Sequence, residues 1–145
     1  MNSFYSNGKL LLTGEYFVLE GAKAFAVPTK FGQDLTVQPI QEKQLIWASF
    51  TEKNQCWFEA IIELPKLRLV SASFESENET GKDTLAENLL DILKEAKKIN
   101  PSYLNSSNGF LVKTHLTFPR NWGLGTSSTL INNVANWANI NPYQL

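Results

Sequence analysis

The chain has 145 residues and a net charge of −1, with 43% apolar and 19% charged residues. That balance specifies one folded domain with a real core, and it excludes a disordered chain and a basic footprint for nucleic acid or an anionic membrane. The single cysteine, Cys56, excludes an internal disulfide, no apolar run reaches membrane-spanning length, and MNSFYSNGK lacks a signal-peptide core, so a cytoplasmic protein is expected.

The first 40 residues are dense in glycine and small apolar residues, and Gly8, Gly14, Gly21 and Gly32 are expected to divide them into short strands and turns. Residues 24–74 read as several antiparallel strands. TEKNQ at 51–55 forms a turn between LIWASF and CWFEAIIEL, and Pro65 marks a further break. The polar stretch ESENETGKD leads into a helix predicted from Thr84 to Ile99. Thr84 and Glu87 have capping-box spacing there, and Leu85, Leu89, Ile92, Leu93, Ala96 and Ile99 form one apolar stripe. Asn100-Pro101 stops it. Phe110, Val112, Thr114, Leu116 and Phe118 then alternate with Leu111, Lys113, His115 and Thr117 as in a strand, which Pro119 ends. In a second helix, Leu130, Ile131, Val134, Trp137 and Ala138 suit one face, with Asn132, Asn133, Asn136 and Asn139 largely elsewhere. Asn is a mediocre helix former, so packing must hold this helix.

Between that strand and that helix lies PRNWGLGTSST, residues 119–129. Glycines let a backbone approach an anion without Cβ clashes, and the free N–H groups of a helix start point toward it. The hydroxyls of Thr126, Ser127 and Ser128 suit phosphate oxygens or a magnesium ion; they equally suit an N-cap. The better-known phosphate loops do not fit, because no lysine follows Gly125 as a Walker A loop requires and Ser128 stands where a dinucleotide fingerprint has its third glycine. GxSxG is absent and His115 is the only histidine, which argues against a hydrolase triad.

PRNWGLGTSST resembles the second motif of the GHMP kinases, PxxxGLGSSAA, with Pro119, Gly123, Leu124, Gly125 and Ser127 matching. Near the N-terminus, NGKLLLTGEYFVLEG resembles the first motif in its mevalonate-kinase form, PGKLILFGEHAVVYG. Gly8, Lys9, Leu10, Gly14, Glu15 and Gly21 match, while Asn7 replaces the proline and Tyr16 the histidine. Two motifs in order, over 100 residues apart, are far more specific than either alone. The whole chain is most similar to the GYDIA branch of the family.

The resemblance implies an α+β fold of mainly antiparallel strands with two helices, like ribosomal protein S5 domain 2. It implies that residues 1–145 are the N-terminal, ATP-binding domain of such a kinase without its C-terminal domain. The implied activity is transfer of the ATP γ-phosphoryl, with Mg²⁺, to the hydroxyl of a small molecule, mevalonate or a related isoprenoid precursor first. By position Lys9 matches the catalytic lysine, Glu15 and Tyr16 the acceptor-site residues, and Gly123, Leu124, Gly125, Thr126, Ser127 and Ser128 the ATP phosphate loop, with Ser127 also the metal ligand. Trp122 either covers the nucleotide or packs, His115 is structural, and Asp34 is a turn or strand-edge carboxylate. No aspartate follows Asp91, so the family's catalytic Asp has no counterpart here. The chain alone is therefore expected to be inactive. Its second helix is expected to expose Leu130, Ile131, Val134 and Trp137 for self-association or for docking of a C-terminal half. Two rivals are a nucleotide-binding or regulatory module without catalysis and a diphosphomevalonate decarboxylase of the same superfamily.

Overall fold

The computed structural model describes residues 1–13, 25–75, 80–122, 124 and 126–145. Six strands form one sheet: β1 (Asn2–Thr13), β2 (Phe25–Ile40), β3 (Gln44–Phe50), β4 (Cys56–Glu63), β5 (Arg68–Phe74) and β6 (Gly109–Leu116). Their order across the sheet is β1-β2-β6-β3-β4-β5. All neighbours are antiparallel except β3 and β6, which run parallel with Trp47 opposite Val112. Two helices, α1 (Thr80–Ile99) and α2 (Thr126–Ala138), pack on one face and touch each other. This is the expected α+β class, with mainly antiparallel strands and two helices.

Alternation along the strands builds the core. Leu35 and Val37 of β2, Leu45 and Trp47 of β3, Phe58, Ala60 and Ile62 of β4 and Val112 of β6 meet Ala86, Leu89, Leu90, Leu93 and Ala96 of α1 and Val134 and Ala138 of α2. Burial of these side chains contributes roughly 1.5–3 kcal/mol for each large one. The TEKNQ turn forms as expected. The Thr51 hydroxyl accepts the N–H groups of Lys53 and Gln55, and Asn54 takes the left-handed conformation that Asn tolerates.

Three expectations change. β1 and β2 run unbroken through Gly8 and Gly32, because both glycines answer to neighbours across the fold rather than to turns. Gly14 and Gly21 lie outside the described residues. α1 starts at Thr80, one turn before Thr84, so Thr84 and Glu87 stand within the helix and are not its cap. Five buried residues of α1 on the sheet offset the cost of Gly81 near its start. Finally, most of the apolar face of α2 is covered by the chain's own core: Val134 is fully buried and Leu130 and Trp137 pack against the core, while Ile131 stays half-buried outside it. Asn133, expected on the polar side, is fully buried as well. No helix among the described residues is long and apolar enough to cross a membrane.

Candidate functional site

The two sequence motifs meet. The backbone N–H of Lys9 donates to the carbonyl of Leu124 at 3.1 Å, joining β1 to the loop that opens α2. Beside it, a Cβ on Gly8 would lie 2.7 Å from the Leu124 carbonyl oxygen, so only glycine lets loop and strand approach this closely. The pairing of β1 with β2 skips a residue between Asn7 and Lys9, an irregularity that lies at this junction. The Leu124 side chain is buried with Leu116, Phe118 and Phe31, which anchors the loop from below.

A cavity of about 430 Å³ opens on one side of this junction, lined in part by Asn7, Gly8 and Lys9 of β1 and by Ser128, Thr129 and Asn132 of α2. Pro142 and Tyr143 form its rim, and Tyr143 is almost fully exposed. Among the described residues Lys9 is the one charged residue in its lining. Beneath lies a buried polar network. Ser6 Oγ donates to Asn133 Oδ1 at 2.6 Å and accepts from Asn132 Nδ2 at 2.9 Å, and Asn133 Nδ2 donates to the Gln33 carbonyl at 2.9 Å. Thr129 Oγ1 lies 2.8 Å from both Gln33 Oε1 and the Thr126 carbonyl. Such a satisfied network fixes the rotation of α2 against β1 and β2.

A second cavity, about 240 Å³, opens on the other side of the α2 N-terminus. Trp47, Trp57, Leu89 and Leu130 give it apolar walls, and Asn88, Arg120, Thr126 and Ser127 supply polar groups. Among the described residues Arg120 is its one charged residue. Trp57 is one of the lining residues, and its indole Nε1 is buried without a hydrogen-bond partner.

The hydroxyls of the second motif are therefore divided. Thr126 and Ser127 face the smaller cavity, and Ser128 faces the larger one with Lys9. Helix geometry accounts for the split: residues 126 and 130 share one stripe of α2, 128 and 132 the next, and 129 and 133 point at the sheet. Of the residues singled out from sequence, Lys9, Leu124, Thr126, Ser127 and Ser128 thus converge on one helix start. Glu15, Tyr16, Gly123 and Gly125 lie outside the described residues. Trp122 is 54% exposed, its ring edge-on to Phe31 at 5.5 Å. His115 and Asp34 lie on adjacent strands rather than in a turn, bonded to each other at 3.1 Å with His115 stacked on Phe50, and neither lines either cavity. Ser6, Asn132, Asn133, Asn88 and Arg120 were missed. Repeated Asn in a helix was the available signal for two of them.

Among the described residues no group of three or more His, Cys, Asp and Glu is placed to hold a metal. Among their described lining residues both cavities pair a cation with hydroxyls and a helix N-terminus and carry no carboxylate, the chemistry of an anion site.

No family model and no curated protein matches the sequence. Solved structures do. The mevalonate kinase of Methanococcus jannaschii superposes with a TM-score of 0.67 at 18% identity, over 97% of this chain and 41% of that one. A second mevalonate kinase crystal structure gives 0.67 and 18%, over 97% of this chain and 42% of that one. The fold is that of part of a mevalonate kinase, and the chain spans less than half the length of these enzymes.

Proposed function

We propose that this chain is the ATP-binding part of a GHMP-type small-molecule kinase, of mevalonate type or its GYDIA relatives. In this reading the smaller cavity takes the nucleotide and the larger one the hydroxyl acceptor, mevalonate or a related isoprenoid precursor. The observation that carries it is the Lys9–Leu124 hydrogen bond, which brings both motifs to one helix start between two cavities.

The residues present fit the nucleotide. The apolar walls suit a base, and Thr126, Ser127 and the first N–H groups of α2 suit phosphate oxygens. ATP would supply the phosphoryl group and Mg²⁺ the charge neutralisation, with Ser127 the hydroxyl available as a metal ligand. Lys9 stands on the acceptor side, where its ammonium stabilises negative charge that develops as an acceptor hydroxyl loses its proton. Ser128 and Asn132 can orient that acceptor. Among the described residues no carboxylate lines either cavity; in this proposal Glu15, which lies outside them, and the rest of such an enzyme supply the acids of the reaction site.

Calorimetric titration with Mg-ATP, together with an ADP-release assay over mevalonate and a panel of small alcohols, tests the reading. Residues 1–145 are expected to bind Mg-ATP without turnover, and the protein with a mevalonate-kinase-type C-terminal half to release ADP only with an acceptor. Failure of the wild-type protein to bind nucleotide would refute it.

A further inference from the structure

Arg120 sits in the short turn of 3-10 helix (Arg120–Trp122) that leads into the glycine loop. Its guanidinium lies 3.7 Å from the centroid of the Trp57 ring and 5.6 Å from that of Phe74. Among the described residues it forms no ion pair, unlike Arg68, which pairs with Glu63. A guanidinium held against two aromatic rings loses little further conformational freedom on binding, and its N–H groups remain available at the edge of the stack. Partial burial lowers its pKa from the ordinary value, yet a guanidinium remains charged at physiological pH. Arg120 therefore brings a positive charge to the smaller cavity, beside Ser127 and the start of α2, and among the described residues of the lining no carboxylate opposes it.

We infer that Arg120 is the phosphate-anchoring residue of the smaller cavity, preset by its stack on Trp57 and Phe74, and that it selects polyphosphorylated nucleotides over nucleosides. The inference rests on the nucleotide reading of that cavity and adds the source of its charge selectivity. Trp57 thus holds the guanidinium on its ring while lining the same cavity. An arginine serves better than a lysine, because a planar fork both stacks on the indole and presents parallel donors to phosphate oxygens.

The test is titration of wild type, Arg120→Gln and Arg120→Lys with Mg-ATP, inorganic tripolyphosphate and adenosine at two salt concentrations, with circular dichroism confirming the fold. Arg120→Gln is expected to weaken Mg-ATP and tripolyphosphate by about tenfold or more, as loss of a charge-assisted hydrogen bond predicts, and to leave adenosine within about twofold. It should also flatten the salt dependence of ATP affinity, whereas Arg120→Lys should keep that dependence and fall between the two in affinity. Equal weakening of ATP and adenosine would overturn the inference, since Arg120 would then only prop the Trp57 wall. Unchanged ATP affinity in Arg120→Gln would overturn it too while leaving the nucleotide reading intact. A wild type that binds adenosine but neither phosphate ligand would overturn it as well, and a wild type that binds none of the three would remove both.

Discussion

Gly8→Ala probes the junction most directly. The φ angle of Gly8 lies outside the left-handed region, so alanine fits the backbone and any penalty comes from contact alone. The new Cβ would stand 2.7 Å from the Leu124 carbonyl oxygen, 3.1 Å from Leu124 Cβ and 3.3 Å from the Phe31 carbonyl oxygen. Two of these neighbours are backbone atoms, which cannot swing away as a side chain does. Overpacking of this kind costs about 1–3 kcal/mol. If the loop retreats, the Lys9–Leu124 hydrogen bond weakens at a further cost of about 0.5–1.5 kcal/mol. Removing a glycine from a strand returns about 0.5–1 kcal/mol. The net expectation is a loss of about 1–3 kcal/mol, read as a lower urea midpoint at unchanged slope. Because the same hydrogen bond positions the α2 start against β1, Mg-ATP affinity should fall in the folded variant, and the Lys9 amide should lose hydrogen-exchange protection. A variant as stable as wild type, with that amide still protected, would refute the reasoning.

Lys9→Met should leave Mg-ATP affinity nearly intact and lower turnover by about 100-fold in an acceptor-dependent assay, because its charge acts on the acceptor side; unchanged turnover would make Lys9 a surface charge. Asn133→Leu removes the partners of the Ser6 hydroxyl and the Gln33 carbonyl in a fully buried place and should cost about 2–4 kcal/mol in urea unfolding. A cost below about 1 kcal/mol would show that the network contributes little. Tyr103→Phe should be neutral or stabilise by about 1 kcal/mol, since the Tyr103 hydroxyl is buried with no hydrogen-bond partner; clear destabilisation in the same assay would reveal a partner for it.

Local chemistry was readable and distant neighbours were not. The turn at 51–55, the stop at Asn100-Pro101 and the strand through Val112 and Thr114 follow from side chains acting on their own backbone or from simple alternation. Gly8 and Gly32 were misread as turn residues because what demands glycine there comes from elsewhere: the Leu124 carbonyl for one, the Ser6 carbonyl and the Tyr5 ring for the other. Asn133 was placed on the wrong side because a buried Asn becomes acceptable only once Ser6 and Gln33, on two other strands, supply its hydrogen bonds. For the site, the motif resemblance found Lys9 and the hydroxyls. It did not reveal that a turn of α2 sends Ser127 and Ser128 to opposite cavities. Nor did it find Arg120, whose setting depends on Trp57 and Phe74 of two different strands.

The central position of β6 has a consequence for how the protein is made. β1 and β2 pair with each other, and β3, β4 and β5 form a separate run of antiparallel neighbours, but β2 and β3 never pair. Among the described strands the one that links the two groups is β6, which arrives after α1 and inserts between strands that began about 65 to 85 residues earlier. Without residues 109–116 the inner edges of β2 and β3 have no partner, and an open strand edge invites the wrong one. Closing that gap joins distant parts of the sequence, the kind of step that slows folding. One eight-residue strand then seals both edges at once, and the loop that follows it delivers Leu124 to Lys9.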